Sequence, residues 1–434
     1  MKNYKIFKYI FILFTLQISL LSQQWFLVSP VNQPGLTPSI SVSSMNQAWI
    51  VGGSGTPNVF KTDNGGYNWS VIQTAGISVE LTCVAGFTGQ YAFVGEGILS
   101  GNAKLLKTTN GGTNWVVVFE TPNNRGFFNG LAFTKANGNL FGLAIAERIY
   151  RSSNAGLNWI ELNSGVNGVS NAQNSLMIID NNFYGFGMNN GAARIRMTTD
   201  NASSWLTQNI NVAGNYTSAI AFHTNKLLGV AATSSSMPFI SRTTDGGNTW
   251  TSINIGAGLT GNCYFNWIPE GPVIYALGEN GGIKRSTDNG LNWVSMTTAG
   301  VTNLKHFDFI QFNNIVVGYA VSSNGNVIKT LDTLSVLTGT CQNENIVREF
   351  NLEQNYPNPF NPMTEIGYSI SNESFVKLSI IDVLGKEVYT AVNENKKAGN
   401  YQVTIDGSGL GSGVYFYRLT AGDFTRTRKM ILLK

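Results

Sequence analysis

The chain has 434 residues, enough for two or three domains of ordinary size. Charged residues make up only 12% of it and 48 residues are glycine, a composition that excludes a highly charged disordered chain. Of the formal net charge of +4, Lys2, Lys5 and Lys8 supply three, whereas residues 23–350 contain 16 basic and 16 acidic side chains. A nearly neutral body without a basic stripe argues against nucleic-acid binding.

The amino terminus has the features of a secretory signal peptide. Three lysines precede an apolar run over residues 9–21, and Ser22 and two glutamines follow it. The run is too short to span a membrane permanently, and no later segment is apolar enough to do so. We therefore expect residues 1–22 to be removed on export and, because no cysteine stands at the cleavage point, we expect no lipid anchor.

Tryptophans recur at a nearly constant interval along the chain. Six similar nine-residue segments each end in tryptophan, and with Trp25 they give the positions 25, 69, 115, 159, 205, 250 and 293. We call these segments the Trp turns; they read KTDNGGYNW, KTTNGGTNW, RSSNAGLNW, MTTDNASSW, RTTDGGNTW and RSTDNGLNW. About four short β-rich runs occupy each interval, and no helical apolar period is sustained. The pattern predicts an all-β chain with a seven-bladed β-propeller over residues 23–335.

Each Trp turn contains the residues that a self-stabilising turn requires. An Asn or Asp stands five residues before the tryptophan and can accept backbone N–H bonds, and a glycine three residues before it tolerates positive φ. Ala202 replaces that glycine in the fourth turn, which we expect to be distorted. The predicted structural residues are Asn64, Trp69, Asn110, Trp115, Asn154, Trp159, Asp200, Trp205, Asp245, Trp250, Asp288 and Trp293.

The last repeat lacks its turn, because Leu337 stands 44 residues after Trp293. A circular propeller explains this absence if the strand beginning at Trp25 joins the last blade as its outer strand. Such a Velcro-type closure hides edges that an open array of repeats would expose.

The Trp turns resemble the Asp-box, or BNR, repeat, Ser/Thr-x-Asp-x-Gly-x-Thr-Trp. This repeat occurs in sialidases, sortilin-type receptors, several glycoside hydrolases and photosystem II assembly-factor propellers. The resemblance implies a propeller in which the box is a structural turn remote from the active face, and it leaves the function open. The Arg-Ile-Pro motif of bacterial sialidases does not occur, which argues against that activity.

A different domain follows a Thr- and Asn-rich linker at residues 336–350. Alternation of Val376, Leu378 and Ile380 with polar residues predicts a small Ig-like β-sandwich over residues 351–434. The segments NYPNPFNP, GSGVYFYRL and TRTRKMILLK resemble the type A sorting domain of the type IX secretion system, characteristic of Bacteroidetes. The resemblance implies transport across the outer membrane, usually with removal of the domain, and an ordinary adhesive domain is the alternative. The predicted sorting-signal residues are Gly413, Val414, Tyr415, Lys429 and Lys434.

Propeller geometry places functional loops on the face opposite the Trp turns. The candidate ligand residues there are Arg125, Phe127, Arg148, Asn189 and Tyr264, and the loops leading into the blades also bring Lys305 to this face. Glu96, Glu147 and Glu279 could ring one end of the channel, where two carboxyl groups about 5 to 10 Å apart could cleave a glycosidic bond.

No metal or cofactor is predicted. The cysteines Cys83, Cys263 and Cys341 are too far apart in sequence for a local zinc site, and whether two of them form a bridge stays open. His223 and His306 have no nucleophile motif beside them and are interpreted as structural residues.

The leading hypothesis is a monomeric, non-catalytic propeller that binds a glycan or an envelope protein partner. The type IX secretion machinery would export it to the medium or attach it to the outer cell surface. One alternative is a polysaccharide-active glycoside hydrolase, and another is an assembly or stability factor for an envelope complex.

Overall fold

In the computed structural model the described residues are 24–32, 38–52, 58–73, 79–98, 101–123, 126–136, 139–162, 175–233, 239–269, 271–279, 282–312, 315–333, 351–355, 357–370, 373–397, 399–422 and 424–433. The chain divides into two compact units, residues 1–335 and 336–434. The predicted signal peptide and linker, together with Arg125, Cys341 and Lys434, lie outside the described residues.

The described part of the first unit forms seven four-stranded antiparallel sheets, which are the blades of a propeller. Blade 1 is β2 (Ser39–Val42), β3 (Ala48–Gly52), β4 (Asn58–Thr62) and β5 (Ser70–Gln73). Blade 2 is β6 (Glu80–Gly86), β7 (Ala92–Gly97), β8 (Lys104–Thr108) and β9 (Val116–Glu120). Blade 3 is β10 (Gly130–Ala136), β11 (Asn139–Ala146), β12 (Arg148–Ser152) and β13 (Ile160–Glu161).

The remaining blades repeat this order. Blade 4 is β14 (Leu176–Ile178), β15 (Tyr184–Gly187), β16 (Arg194–Thr198) and β17 (Leu206–Asn209). Blade 5 is β18 (Ala219–Phe222), β19 (Gly229–Ala232), β20 (Phe239–Thr243) and β21 (Thr251–Asn254). Blade 6 is β22 (Cys263–Trp267), β23 (Ile274–Gly278), β24 (Ile283–Ser286) and β25 (Val294–Met296). Blade 7 is β26 (Leu304–Phe312), β27 (Ile315–Ser322), β28 (Val327–Thr333) and, from the amino terminus, β1 (Phe26–Leu27).

The strand after Trp25 completes the last blade. Phe26 pairs with Lys329, and Leu27 with Ile328, in an antiparallel ladder. The Trp25 side chain is 2% exposed, and its ring centroid lies 5.6 Å from that of Phe309. The arrangement is the one that the closure prediction requires, and the prediction of an all-β propeller is confirmed.

The six Trp turns share one hydrogen-bonding pattern. In the fifth, the Thr243 hydroxyl accepts the N–H of Gly247 at 3.0 Å, and the Asp245 carboxylate accepts the N–H of Thr249 at 2.9 Å. Equivalent bonds occur in the other five turns. Ala202 adopts a φ of 65° and donates the same bond at 2.9 Å, so the expected distortion does not reach the hydrogen bonds. An alanine in this left-handed conformation is strained relative to glycine.

The apolar core of the propeller lies between blades. Ile40 and Phe60 of blade 1, for example, share one buried cluster with Val317 and Tyr319 of blade 7. Other clusters join blades 1 and 2, 3 and 4, 4 and 5, 5 and 6, and 6 and 7. A blade therefore buries its two sheet faces against its neighbours, as repeat architectures require.

The second unit consists of two antiparallel sheets around one core. The smaller sheet has the order β29 (Asn351–Leu352), β30 (Met363–Ile370) and β33 (Gly399–Asp406). The larger has the order β32 (Glu387–Lys396), β31 (Ser374–Ile381), β34 (Gly413–Ala421) and β35 (Phe424–Leu432). Ile366 and Ile405 of the first sheet pack in the same cluster as Leu378 and Leu419 of the second.

Candidate functional site: the propeller face opposite the Trp turns

Antiparallel order within a blade decides which loops share a face. Each described Trp turn connects the third strand of its blade to the fourth. The loops from the second strand to the third, and the loops leading into the next blade, therefore lie at the other end of the sheets. We call this end the loop face.

Glu96, near the end of β7, is buried against its own loop. It is 4% exposed, and its carboxylate accepts the N–H of Lys104 at 2.9 Å, which fixes the loop leading into β8. Burial raises the pKa of this carboxyl group. Beside it, Phe127 forms an isolated bridge with Gly97, and a Cβ on Gly97 would lie 2.6 Å from the Phe127 ring. The Phe127 ring therefore packs directly against the Gly97 backbone, where a larger side chain would clash.

Glu147 forms the tight turn between β11 and β12, and Arg148 is the first residue of β12. Glu147 is exposed and has a φ of 58°. Arg148 lies 3.8 Å from Glu161 on the outer strand of the same blade. Asn189 is exposed at the equivalent position of blade 4 and forms an isolated bridge with Tyr216, in the loop leading into blade 5.

Side chains from blades 5, 6 and 7 meet in one polar group on the loop face, which we call the mouth cluster: Tyr216, Asn262, Tyr264, Glu279 and Lys305. The Tyr216 hydroxyl donates to the Asn262 side chain at 2.7 Å. Lys305 donates to Glu279 at 3.1 Å, and their side chains are 17% and 19% exposed. The Glu279 N–H donates to the Asn262 carbonyl at 2.8 Å, so the elements of the cluster are joined by the backbone as well.

Tyr264 forms the buried base of the mouth cluster. It is 5% exposed, and its ring meets that of His306 edge to face at 5.0 Å between centroids. Burial raises the pKa of the Tyr264 phenol, and the nearby Glu279 carboxylate acts in the same direction. The phenol is therefore neutral at physiological pH.

The three glutamates proposed as a catalytic set belong to blades 2, 3 and 6. Among the described residues no hydrogen bond or ion pair joins any two of them. Glu96 holds its own loop and Glu279 neutralises Lys305. Sequence reasoning identified Glu279, Tyr264 and Lys305 from their positions in the repeat, but it did not identify Tyr216 or Asn262, whose meeting depends on two loops 46 residues apart.

A central cavity of about 480 Å³ is lined by the first strands of all seven blades. The inner edge of each first strand has no strand partner, so its backbone groups need other acceptors and donors. Asp308 accepts the N–H of Val42 at 2.7 Å, His306 accepts that of Ile40 at 3.2 Å, and Ser41 accepts that of Gly86 at 3.1 Å. Side chains of one blade thus cap the open edge of the next.

Burial shifts both titratable caps away from their charged forms. Burial raises the pKa of Asp308 to about 6, although hydrogen bonds from Val42 and Asn266 oppose the rise. Burial lowers the pKa of His306 to about 4. Asp308 and His306 are buried here because each accepts a backbone N–H from the inner strand edge of blade 1, which lies beside blade 7 in the closed ring.

The described residues contain no group of three or more His, Cys, Asp or Glu side chains placed to hold a metal ion. Cys83 and Cys263 are buried free thiols on blades 2 and 6, and burial raises the pKa of each to about 12. They are therefore poor nucleophiles.

The predicted sorting residues in the second unit separate onto two faces of β34 and β35. Val414 is 37% exposed and Lys429 is exposed. Tyr415 packs against the core, and its hydroxyl donates to the Gly411 carbonyl at 2.9 Å. Gly413 begins β34 opposite Leu432.

Residues 354–433 match the family of the secretion system C-terminal sorting domain. The predicted type IX sorting domain is thereby confirmed. Such a tail implies that the chain is exported, to the cell surface or into the medium. In the described part of the chain no helix is long and apolar enough to cross a membrane.

Similarity to solved structures independently supports the propeller fold of the first unit. The protein YCF48 from Cyanidioschyzon merolae is 19% identical, with a TM-score of 0.52 over 71% of this chain and 98% of that one. A structure of YCF48 bound to D1 peptide is 16% identical, with a TM-score of 0.52 over 71% and 96%. The WD40 propeller domain of Doa1 is 10% identical, with a TM-score of 0.53 over 71% and 96%. At these identities the likeness shows the fold alone, and no curated protein matches the sequence.

Proposed function

We propose that the chain is an exported, non-catalytic propeller that binds a protein partner through the mouth cluster. The observation that carries the proposal is the joining of side chains from three blades by the Tyr216–Asn262 and Lys305–Glu279 hydrogen bonds. The five residues belong to the loops and first strands of three consecutive blades, so the cluster forms only when these blades pack side by side.

The chemistry of the cluster suits an extended peptide segment. The half-buried carboxylate and ammonium groups of Glu279 and Lys305 can accept and donate hydrogen bonds at one place, and the Asn262 amide can do both. Peptide backbones present the same alternation of donors and acceptors. A propeller of similar fold has been solved with a peptide bound, which supports this choice of ligand.

A glycan is less well matched. Sugar rings commonly stack on an exposed aromatic face, whereas Tyr264 is 5% exposed and Tyr216 is half-buried. The hydrolase alternative needs two carboxyl groups facing one bond. Glu96 bonds to its own loop and Glu279 pairs with Lys305, and among the described residues no hydrogen bond or ion pair joins two of the three glutamates. We also propose that the Trp turns are Asp-box repeats. In that repeat the turn is structural, so the opposite face, which carries the mouth cluster, is the functional one.

The test compares two double variants of the exported full chain on a peptide array and a glycan array. Lys305→Ala with Glu279→Gln removes the ion pair of the mouth cluster. The matched control, Lys226→Ala with Asp180→Asn, removes an ion pair between blades at the Trp-turn end. We expect the parent chain to bind a subset of the peptides. The affinity for these peptides should fall at least tenfold, equivalent to about 1.4 kcal/mol, in the first variant and less than twofold in the control.

Two outcomes would contradict the proposal. One is glycan binding without peptide binding. The other is peptide binding that both double variants retain equally, because the ligand would then lie outside the mouth cluster.

A further inference from the structure

The outward surface of the larger sheet in the second unit combines cations with a recessed apolar centre. Successive strand residues point to opposite sides, so the neighbours of the core residues Ile380, Tyr417 and Leu419 face outward. The register places Ile381, Phe416 and Lys429 in one cross-strand row. We call the set Ile381, Val414, Phe416, Arg418, Lys429 and Ile431 the outer sheet face.

The apolar residues of this face lie low in the surface. Ile381 is 7% exposed and Phe416 and Ile431 are half-buried, whereas Val414 is 37% exposed. Val414 pairs with Ile431 next to the row that contains Phe416, so the apolar residues are contiguous. A recessed apolar centre of this kind can accept a protruding side chain of a partner.

The charges around that centre are predominantly positive. Arg418 and Lys429 are exposed, and neither forms an ion pair with a described residue. Arg418 donates only to the neutral Thr427 hydroxyl, at 3.3 Å. The carboxylate on the adjacent strand, Glu387, is 2.9 Å from Lys377 and is thereby neutralised. Two cations thus stand beside the apolar centre without a negative partner.

We propose that the outer sheet face docks an acidic protein surface bearing a protruding apolar side chain. Because residues 354–433 match a secretion sorting domain, the partner that fits this docking is a protein of the export machinery. Complementary charge speeds the encounter and fixes the register, and the apolar contact supplies affinity. A lipid surface fits less well, because membrane-bound faces present protruding apolar residues and clusters of more than two basic ones.

The experiment measures export of the full chain from a bacterium that has a type IX system. Arg418→Glu with Lys429→Glu reverses the two free cations. Lys386→Glu with Lys397→Glu reverses two exposed lysines in turns of the same domain and is the matched control. We expect the first variant to accumulate folded in the periplasm, with extracellular protein reduced at least tenfold, and the control to be exported within twofold of the parent.

Folding and lipid binding are checked alongside export. If charge reversal unfolds the domain, a second variant, Arg418→Thr with Lys429→Thr, removes both charges and places good strand formers at both positions. We expect this variant to fold and its export to fall about threefold. Parental export by the threonine variant, or by a folded Glu variant, would overturn the proposal. So would charge-dependent binding of the parent to phosphatidylglycerol vesicles, because the partner would then be a membrane. The peptide array tests the propeller separately, since its residues are unchanged.

Discussion

Replacing Trp25 with alanine should destabilise the propeller strongly, although the residue belongs to none of the six Trp turns. Its side chain is 2% exposed and packs in the cluster shared by blades 6 and 7. Removing a buried tryptophan costs about 3–5 kcal/mol. Unfolding about 300 residues carries an entropy of roughly 0.6 kcal/mol/K, so a loss of 4 kcal/mol lowers the melting temperature by about 6 °C.

The neighbouring residue provides the control. Phe26 follows Trp25 as the first residue of β1 and is 44% exposed, so Phe26→Ala should shift melting by less than about 2 °C. Both variants are measured by circular dichroism and calorimetry on the full chain, following the propeller transition. Equal shifts, or a Trp25→Ala shift below 2 °C, would refute the reasoning that closure of blade 7 depends on burial of this indole.

Two further predictions concern buried charges in blade 7. Asp332 is 2% exposed and lies 2.7 Å from Arg285 of blade 6. Asp332→Ala leaves Arg285 without its negative partner, so the free energy of unfolding measured in urea should fall by about 3–5 kcal/mol. A fall below about 1 kcal/mol would contradict this prediction. Burial raises the pKa of Asp308 from 3.8 to about 6, so the stability that this group contributes is present at low pH and is lost as the pH rises through 6. Burial lowers the pKa of His306 from 6.5 to about 4, so the stability that the histidine contributes is present above pH 6.5 and is lost as the pH drops to 4. Because the two slopes oppose each other, Asp308→Asn should expose the histidine alone, with the unfolding free energy falling by about 3 kcal/mol between pH 6.5 and 4, and a flat profile would count against it.

The candidate site was only partly predictable from sequence. The repeat period placed Glu279 at the turn between the second and third strands, and the offset before the first strand placed Tyr264 and Lys305 nearby. The sequence could not distinguish Glu96, whose carboxylate is turned inward to its own loop, from Glu279, whose carboxylate meets the next blade. That difference depends on side-chain direction and neighbouring loops, for which the period carries no information.

The sequence by itself determined the blades. Each Trp turn makes its hydrogen bonds within nine residues, so its Asn or Asp, hydroxyl and glycine specify it without help from the rest of the chain. Only the tertiary structure decided how the ring is sealed and which polar groups meet. The bond from Val42 to Asp308 spans 266 residues, and the same separation joins Ile40 to His306. Contacts of this kind form because unpaired inner strand edges need partners once the ring has closed, and closure brings together residues that no local pattern connects.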